Sequence, residues 1–158
     1  MPSLMPGTPG AKEAYGISPV NEDYCFNIPP AACKRYKLAE EDSVILVTGH
    51  RGEGGFGLMK KSTGEEAVFG KYIREFTEID TVLWFNEKAY AWTAVTKGKV
   101  KLTPEMMDAY YLEPGERLLV IKSTTVTMSF TPVEIWKRKF EQRGFHEAVK
   151  NMEKLEVF

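Results

Sequence analysis

Two stretches of the chain carry the same order of apolar and polar positions, 74 residues apart. Residues 26–47 align without a gap with residues 100–121. The matched pairs are Pro30 with Pro104, Tyr36 with Tyr110, Leu38 with Leu112, Asp42 with Glu116, and the apolar run 44–47 with 118–121. Self-similarity at a fixed offset predicts that the chain contains two copies of one structural unit.

Each copy predicts a strand, a short helix, a turn and a second strand. The first strand ends at Ile28 or Leu102, and a proline within two residues starts the helix, where its missing N–H costs nothing. A turn at 39–42 or 113–116 then leads into a strand rich in leucine and β-branched residues. Neither copy could bury its apolar face alone.

The remaining segments predict elements that flank the two copies. The aromatic stretch 82–95 predicts a hairpin that leads into the second copy, and residues 123–130 predict its last strand. Capping-box spacing from Ser62 predicts a helix after the first copy. At the carboxyl end, the Thr131-Pro132 pair predicts a helix that begins at Pro132, breaks at Gly144 and then resumes. This helix has an apolar face that can pack on the barrel or on a partner chain.

These elements divide the chain into four parts. Residues 1–20 are rich in proline and glycine and predict a flexible arm without a fold of its own. Residues 21–80 hold the first repeat and its following helix, and residues 81–130 hold the second repeat. Residues 131–158 predict a broken amphipathic helix, through which self-association into a homo-oligomer is one expectation.

Composition narrows the class of protein. The chain has 158 residues, of which 43% are hydrophobic and 27% charged, as in a folded soluble domain. The net charge is -1, so the whole molecule has no basic field that attracts nucleic acid, and any DNA contact must use a local patch. Two cysteines predict no disulfide framework, and no signal peptide or membrane span is apparent, so the expected location is cytoplasmic.

Residues 96–118 resemble the AbrB-type swapped-hairpin (SpoVT/AbrB-like) domain, which has a Gly-Arg turn, an apolar strand, a short helix and a Pro-Gly-Asp-type turn. The first copy resembles it through Ile28-Pro29 and residues 38–42, and the resemblance covers about 21–61 and 94–130. It implies that the two units interlock into one barrel, as in the related double-psi barrels. The expected fold is mainly β with short helices: two strand-helix-strand repeats in one pseudo-twofold barrel, plus a carboxyl-terminal helical tail.

The resemblance also implies DNA binding, because many members of the family are transcription regulators or antitoxins. Members that bind DNA hold cations at the Gly-Arg turn and in the middle of the helix. Here the second copy keeps Lys99 at the turn but has Asp108 in the helix, whereas the first copy has Cys25 at the turn and keeps Lys34 in the helix. The expected DNA contacts are Lys34, Arg35, Lys97, Lys99 and Lys101, and the alternative is that these are ordinary solvated side chains.

A glycine-rich loop at 48–57 supports a second hypothesis, a small-anion or ligand-binding barrel or assembly module. Its five glycines leave backbone N–H groups free, and His50 with Arg51 adds charge, so the expected ligand-binding residues are His50, Arg51, Gly54 and Gly55. The spacing matches no nucleotide-binding motif. The alternative is a wide hairpin loop with glycines at positive φ.

No catalytic or metal-binding set is predicted. The only histidines, His50 and His146, are far apart in sequence, and Cys33 has no assignable base. Aromatic residues between 84 and 92 could stack bases, but their alternation favours packing. We therefore expect no enzyme activity, no cofactor and no membrane partner, with DNA or a small anion as the expected partner.

Overall fold

The structure is a computed structural model that describes residues 14–49, 54–68 and 70–158. It is mainly β: nine antiparallel strands within the described residues form a nearly closed barrel, and six short helices surround it. The predicted fold class is therefore confirmed, including the carboxyl-terminal helices.

Each repeat contains the strand, short helix and strand that the sequence predicts. The strands are β1 (Ala14–Pro19), β2 (Cys25–Asn27), β3 (Glu41–Thr48), β4 (Phe56–Lys60), β5 (Thr81–Phe85), β6 (Lys88–Thr96), β7 (Lys99–Lys101), β8 (Arg117–Lys122) and β9 (Thr127–Pro132). The helices are α1 (Pro30–Arg35), α2 (Lys61–Glu65), α3 (Gly70–Ile73), α4 (Pro104–Ala109), α5 (Val133–Gln142) and α6 (His146–Glu153).

Eight of the strands form a ring. Their order is β1-β8-β9-β4-β3-β6-β7-β2, and β5 lies outside this path and pairs with β6. The two ends of the order meet, because the Ser18 hydroxyl of β1 donates to the carbonyl oxygen of Asn27 in β2 at 2.6 Å. The barrel is thus closed except at the β1–β2 seam, which removes most exposed strand edges.

An approximate twofold axis relates the two repeats. Strands β2 and β7 run antiparallel with Phe26 opposite Val100, a pair of residues that are themselves 74 apart. On either side of this pair, Ile28 N–H donates to Gly98 O at 2.7 Å and Leu102 N–H donates to Tyr24 O at 3.0 Å. Adding 74 to Ile28 gives Leu102, and subtracting 74 from Gly98 gives Tyr24, so the two bonds are equivalent. The duplication therefore extends to individual hydrogen bonds.

The helices after β2 and β7 also match. Both end in a tyrosine with nearly the same backbone, φ -95° at Tyr36 and -104° at Tyr110. Each tyrosine then bonds at least one carbonyl oxygen of the other repeat. Tyr36 Oη donates to carbonyl oxygens in the β8–β9 hairpin, and Tyr110 Oη donates to those of Leu46 and Ala89 at 3.2 Å. Each repeat thus secures the strands of its partner.

The centre of the barrel is aromatic and lies on the twofold axis. Phe56 of β4 is opposite Phe130 of β9, and these rings stack with centroids 5.0 Å apart. Phe26 packs on both, at 5.4 Å and 5.1 Å. All three side chains are fully buried. Because the pair consists of equivalent residues from the two repeats, the halves share one core.

The predicted arm requires a correction. Residues 14–19, placed in the flexible arm 1–20 by their glycine and proline, form strand β1 instead. β1 pairs with β8, and residues 156–158 lie along its other edge, where Ile17 N–H donates to Glu156 O and Phe158 N–H to Ile17 O. Both partners are about 100 or more residues away in sequence, so they override the local turn signals.

The carboxyl-terminal helices pack on the outside of the barrel. Helix α5 begins at Val133, one residue after the predicted start, and Gly144 with φ 72° separates it from α6 as the sequence predicts. A second apolar cluster joins these helices to β1 and β8; its buried members are Ala14, Ile17, Leu119, Ile121, Val133, Phe140, Ala148 and Met152. The apolar face of the tail thus covers its own barrel. The helix predicted after Ser62 is split into α2 and α3.

Candidate functional site

Helix α1 and the β6–β7 turn form one end of the β2–β7 ribbon, which we call the α1 end. The turn contacts the chain on both sides of the helix: Ile28 N–H donates to Gly98 O, and Lys97 N–H donates to Glu40 O at 2.6 Å. A methyl group placed on Gly98 would lie 3.8 Å from Cys33 Sγ of α1. The turn and the helix are therefore held side by side.

The α1 end brings together three of the five residues expected to contact DNA. Lys34 and Arg35 lie at the end of α1 and Lys97 at the turn, and all three side chains are exposed. None of them forms an ion pair within 4 Å of a carboxylate in the described residues. These exposed, unpaired cations lie beside two exposed carboxylates, because Lys97 N–H bonds Glu40 and Glu41 is opposite Thr96, so the α1 end carries charges of both signs.

The equivalent end, built by α4 and the turn between β1 and β2, carries the opposite charge. We call it the α4 end. The residue equivalent to Lys34 is Asp108, and the residue equivalent to Lys97 is Asp23, each at an offset of 74. Glu22 and Glu105 add two more exposed carboxylates. The pseudo-twofold axis therefore relates two cations of the α1 end to two carboxylates of the α4 end.

The remaining two predicted DNA contacts lie on the ribbon itself. In β7, Val100 points into the core while Lys99 and Lys101 are exposed. Lys101 is opposite Cys25 in β2 and is followed by Leu102, whose N–H bonds Tyr24 in the α4 end. Lys99 and Lys101 thus extend from the α1 end toward the acidic side and do not join the three cations in one patch.

Lys99 and Lys101 also line a depression in the barrel surface with a volume of about 920 Å³. The turn 22–25 forms one side, Thr93 and Ala94 of β6 lie beneath, and Asp80 lies at its edge. A backbone hydrogen bond from Cys25 N–H, with Lys99 as a smaller contributor, lowers the pKa of Asp23. Burial raises the pKa of the Cys25 thiol. At neutral pH the depression therefore presents an ionised Asp23 and a protonated thiol.

The predicted anion-binding loop falls partly outside the described residues, because residues 50–53, which include His50 and Arg51, are not described. Gly54 and Gly55 have positive φ, 100° and 81°. Gly55 lies so close to the chain of β9 that a side chain there would overlap Phe130 O, and its N–H donates to Tyr110 O at 3.0 Å. That N–H serves the contact between the repeats, and the anion site stays a prediction.

The depression also contains residues that the sequence does not predict as site residues: Glu22, Asp23, Asp80 and Thr93. The buried Thr93 donates its hydroxyl to Asp80 Oδ1 at 3.0 Å, which holds the carboxylate at the edge of the depression. Asp80 lies before β5, outside the repeat, so no alignment of the two copies points to it. The same offset of 74, extended beyond the aligned residues, does pair Asp23 with Lys97, and this reversal of charge between the two copies is visible in the sequence.

Neither comparison with known proteins nor the arrangement of possible metal ligands assigns a function to the chain. No protein-family model matches the chain, and no curated protein matches it. Across the described ranges, no group of three histidine, cysteine, aspartate or glutamate residues is arranged to hold a metal ion. In the same residues, no helix is long and apolar enough to cross a bilayer.

Proposed function

We propose that this chain is a DNA-binding transcription regulator that contacts phosphates with its α1 end. The observation that carries the proposal is the set of exposed, unpaired cations Lys34, Arg35 and Lys97 on a helix and a turn that backbone hydrogen bonds hold side by side. The resemblance of the two repeats to the AbrB-type domain supports the same use, because that family places cations at the turn position that Lys99 occupies here and at the helix position that Lys34 occupies.

The acidic α4 end limits how DNA is bound. In a symmetric swapped-hairpin dimer both ends carry the same residues, and both contact the duplex. Here Asp23 and Asp108 replace Lys97 and Lys34, so phosphates are repelled at the second end. The proposed contact is therefore one-sided, with Lys99 extending it along the ribbon. Each bound phosphate contributes about -0.9 to the slope of log K against log salt, so three cations give a slope of about -3.

The pseudo-symmetry itself supplies the test. Lys34→Asp with Lys97→Asp gives the α1 end the residues of the α4 end. We expect fluorescence anisotropy with a labelled duplex at low salt to show at least a tenfold loss of affinity, and the salt slope to fall by about 2. The matched control is Arg143→Asp with Lys150→Asp, which makes the same change in net charge on exposed positions of the carboxyl-terminal tail.

The reverse change should strengthen binding. Asp108→Lys places a cation at the position equivalent to Lys34, and we expect tighter binding with a steeper salt slope. The proposal fails if the unmodified chain does not bind duplex DNA at low salt. It also fails if the tail control lowers affinity as much as the α1-end variant, because net charge alone would then explain the loss.

A further inference from the structure

The depression lies at a break along one edge of β6. β5 pairs with residues 88–92 of that strand, and β7 pairs with Val95 and Thr96. Between these two partners, Thr93 and Ala94 lie beneath an opening that neither strand covers. The cavity is thus a consequence of the strand pairing, and its base belongs to the rigid barrel.

The base and one wall of the depression are apolar or uncharged. Leu102 and Thr93 are almost fully buried, and the Thr93 hydroxyl is already bonded to Asp80. Tyr24 and Pro104 add apolar surface at the side. A volume of about 920 Å³ lies at the upper end of the range for small-molecule sites. A ligand that fills this depression therefore needs an apolar part that can contact Tyr24 and Pro104.

The rim of the depression carries charges of both signs. Glu22, Asp23 and Asp80 supply three carboxylates, and Lys99 and Lys101 supply two ammonium groups. A simple anion would face three negative groups, and a simple cation would face two positive ones. A molecule with one charge of each sign can satisfy both sides, which is the arrangement that electrostatic complementarity favours.

We propose that this depression binds a small zwitterion with an apolar body, of the class of apolar amino acids and dipeptides. The ammonium group of the ligand is held by Asp80, which the Thr93 hydroxyl orients, and by Glu22 at the rim. The carboxylate is held by Lys101, and the apolar part packs on Tyr24 and Pro104. This site does not depend on the proposed DNA contact and is tested without DNA.

The experiment is a calorimetric and NMR titration of the full chain with L-leucine and L-leucyl-L-leucine, each to about 10 mM. The two lengths distinguish an amino-acid site from a dipeptide site. N-acetyl-leucyl-leucine lacks the ammonium group, and leucyl-leucine amide lacks the carboxylate. We expect at least one zwitterion to bind, and each blocked form of the ligand to bind at least tenfold more weakly.

Two variants locate the site. Asp80→Asn keeps an oxygen for the Thr93 hydroxyl and suits the positive φ of 61° at this position, and Lys101→Gln changes an exposed side chain. Each should weaken the zwitterion at least tenfold without changing the melting temperature. Lys88→Gln and Glu153→Gln are charge-matched controls at exposed positions away from the depression, and they should bind as the unmodified chain does.

Three results would overturn the proposal. One is the absence of heat and of chemical-shift change with both zwitterions. Another is equal binding of the blocked and unblocked ligands, which would show that charge at the rim plays no part. The third is unchanged binding in both Asp80→Asn and Lys101→Gln, which would place any ligand elsewhere. DNA binding can succeed or fail separately from each of these results.

Discussion

The stacked rings of Phe56 and Phe130 join the two repeats across the pseudo-twofold axis, and their replacement tests whether the halves fold as one unit. The centroids are 5.0 Å apart, the ring planes differ by 18°, and both side chains are fully buried. Phe56→Leu and Phe130→Leu each remove ring atoms from this packed centre. We predict that each substitution lowers the free energy of unfolding by about 1–3 kcal/mol.

The pair interaction can be separated from the loss of volume by a double-mutant cycle. An aromatic pair contributes about 0.5–1.5 kcal/mol beyond its buried area, so the double variant should lose less stability than the sum of the single variants by that amount. Phe76 belongs to a different apolar cluster and provides the control. Phe76→Leu combined with Phe130→Leu should be additive to within about 0.5 kcal/mol.

The assay is urea unfolding followed by tryptophan fluorescence and by far-ultraviolet circular dichroism. The three tryptophans report on different parts of the molecule, because Trp84 and Trp92 lie on β5 and β6 and Trp136 lies on α5. Both probes should give one transition with the same midpoint in every variant. Two separated transitions, or a coupling energy of zero between Phe56 and Phe130, would refute the claim that the repeats share one core.

Three further predictions follow from single groups. Tyr110→Phe removes the buried hydroxyl that is shared between the carbonyl oxygens of Leu46 and Ala89. It should cost about 1–2 kcal/mol, which thermal unfolding would show as a fall of about 2–8 °C in melting temperature. Burial raises the pKa of Glu116, so its ionised form destabilises the fold. Glu116→Gln should therefore raise the melting temperature at pH 7, and this gain should vanish as the pH falls below the ordinary glutamate range, where the carboxyl is protonated in both states. The control is Glu75→Gln at an exposed position, which should not raise the melting temperature at pH 7. Burial also raises the pKa of the Cys25 and Cys33 thiols, so both should react more slowly with a thiol reagent at pH 7 in the folded chain than in urea, and equal rates would contradict this.

The repeat was predictable because each copy carries its own local signals in register. Proline after the first strand, the tyrosine that ends the helix, and the apolar run after the turn are all short-range features. The structure places them at matching positions, down to the two hydrogen bonds that flank Phe26 and Val100. Gly144 likewise marked the break between α5 and α6.

The elements that were missed depend on distant partners. β1 contains Gly16 and Pro19, which locally indicate a turn, and it becomes a strand because β8 and residues 156–158 pair with its two edges. The depression is a similar case. It requires Asp80, which lies outside the repeat, and Lys101 of β7 to lie along the same edge of β6, and no local pattern connects the two. Chain topology, and not propensity, creates this site.

The division of charge between the two ends follows from joining both repeats in one chain. Two identical chains related by a true twofold axis must carry the same residue at equivalent positions, so a basic end is always present twice. In a fused chain the equivalent positions can diverge, and they have done so at Lys34 with Asp108 and at Lys97 with Asp23. Phe56 and Phe130, which stack on each other in the buried core, are the same residue in both repeats. Exposed ends have fewer packing contacts to preserve, so the two ends differ in charge while the core keeps the same ring in both repeats.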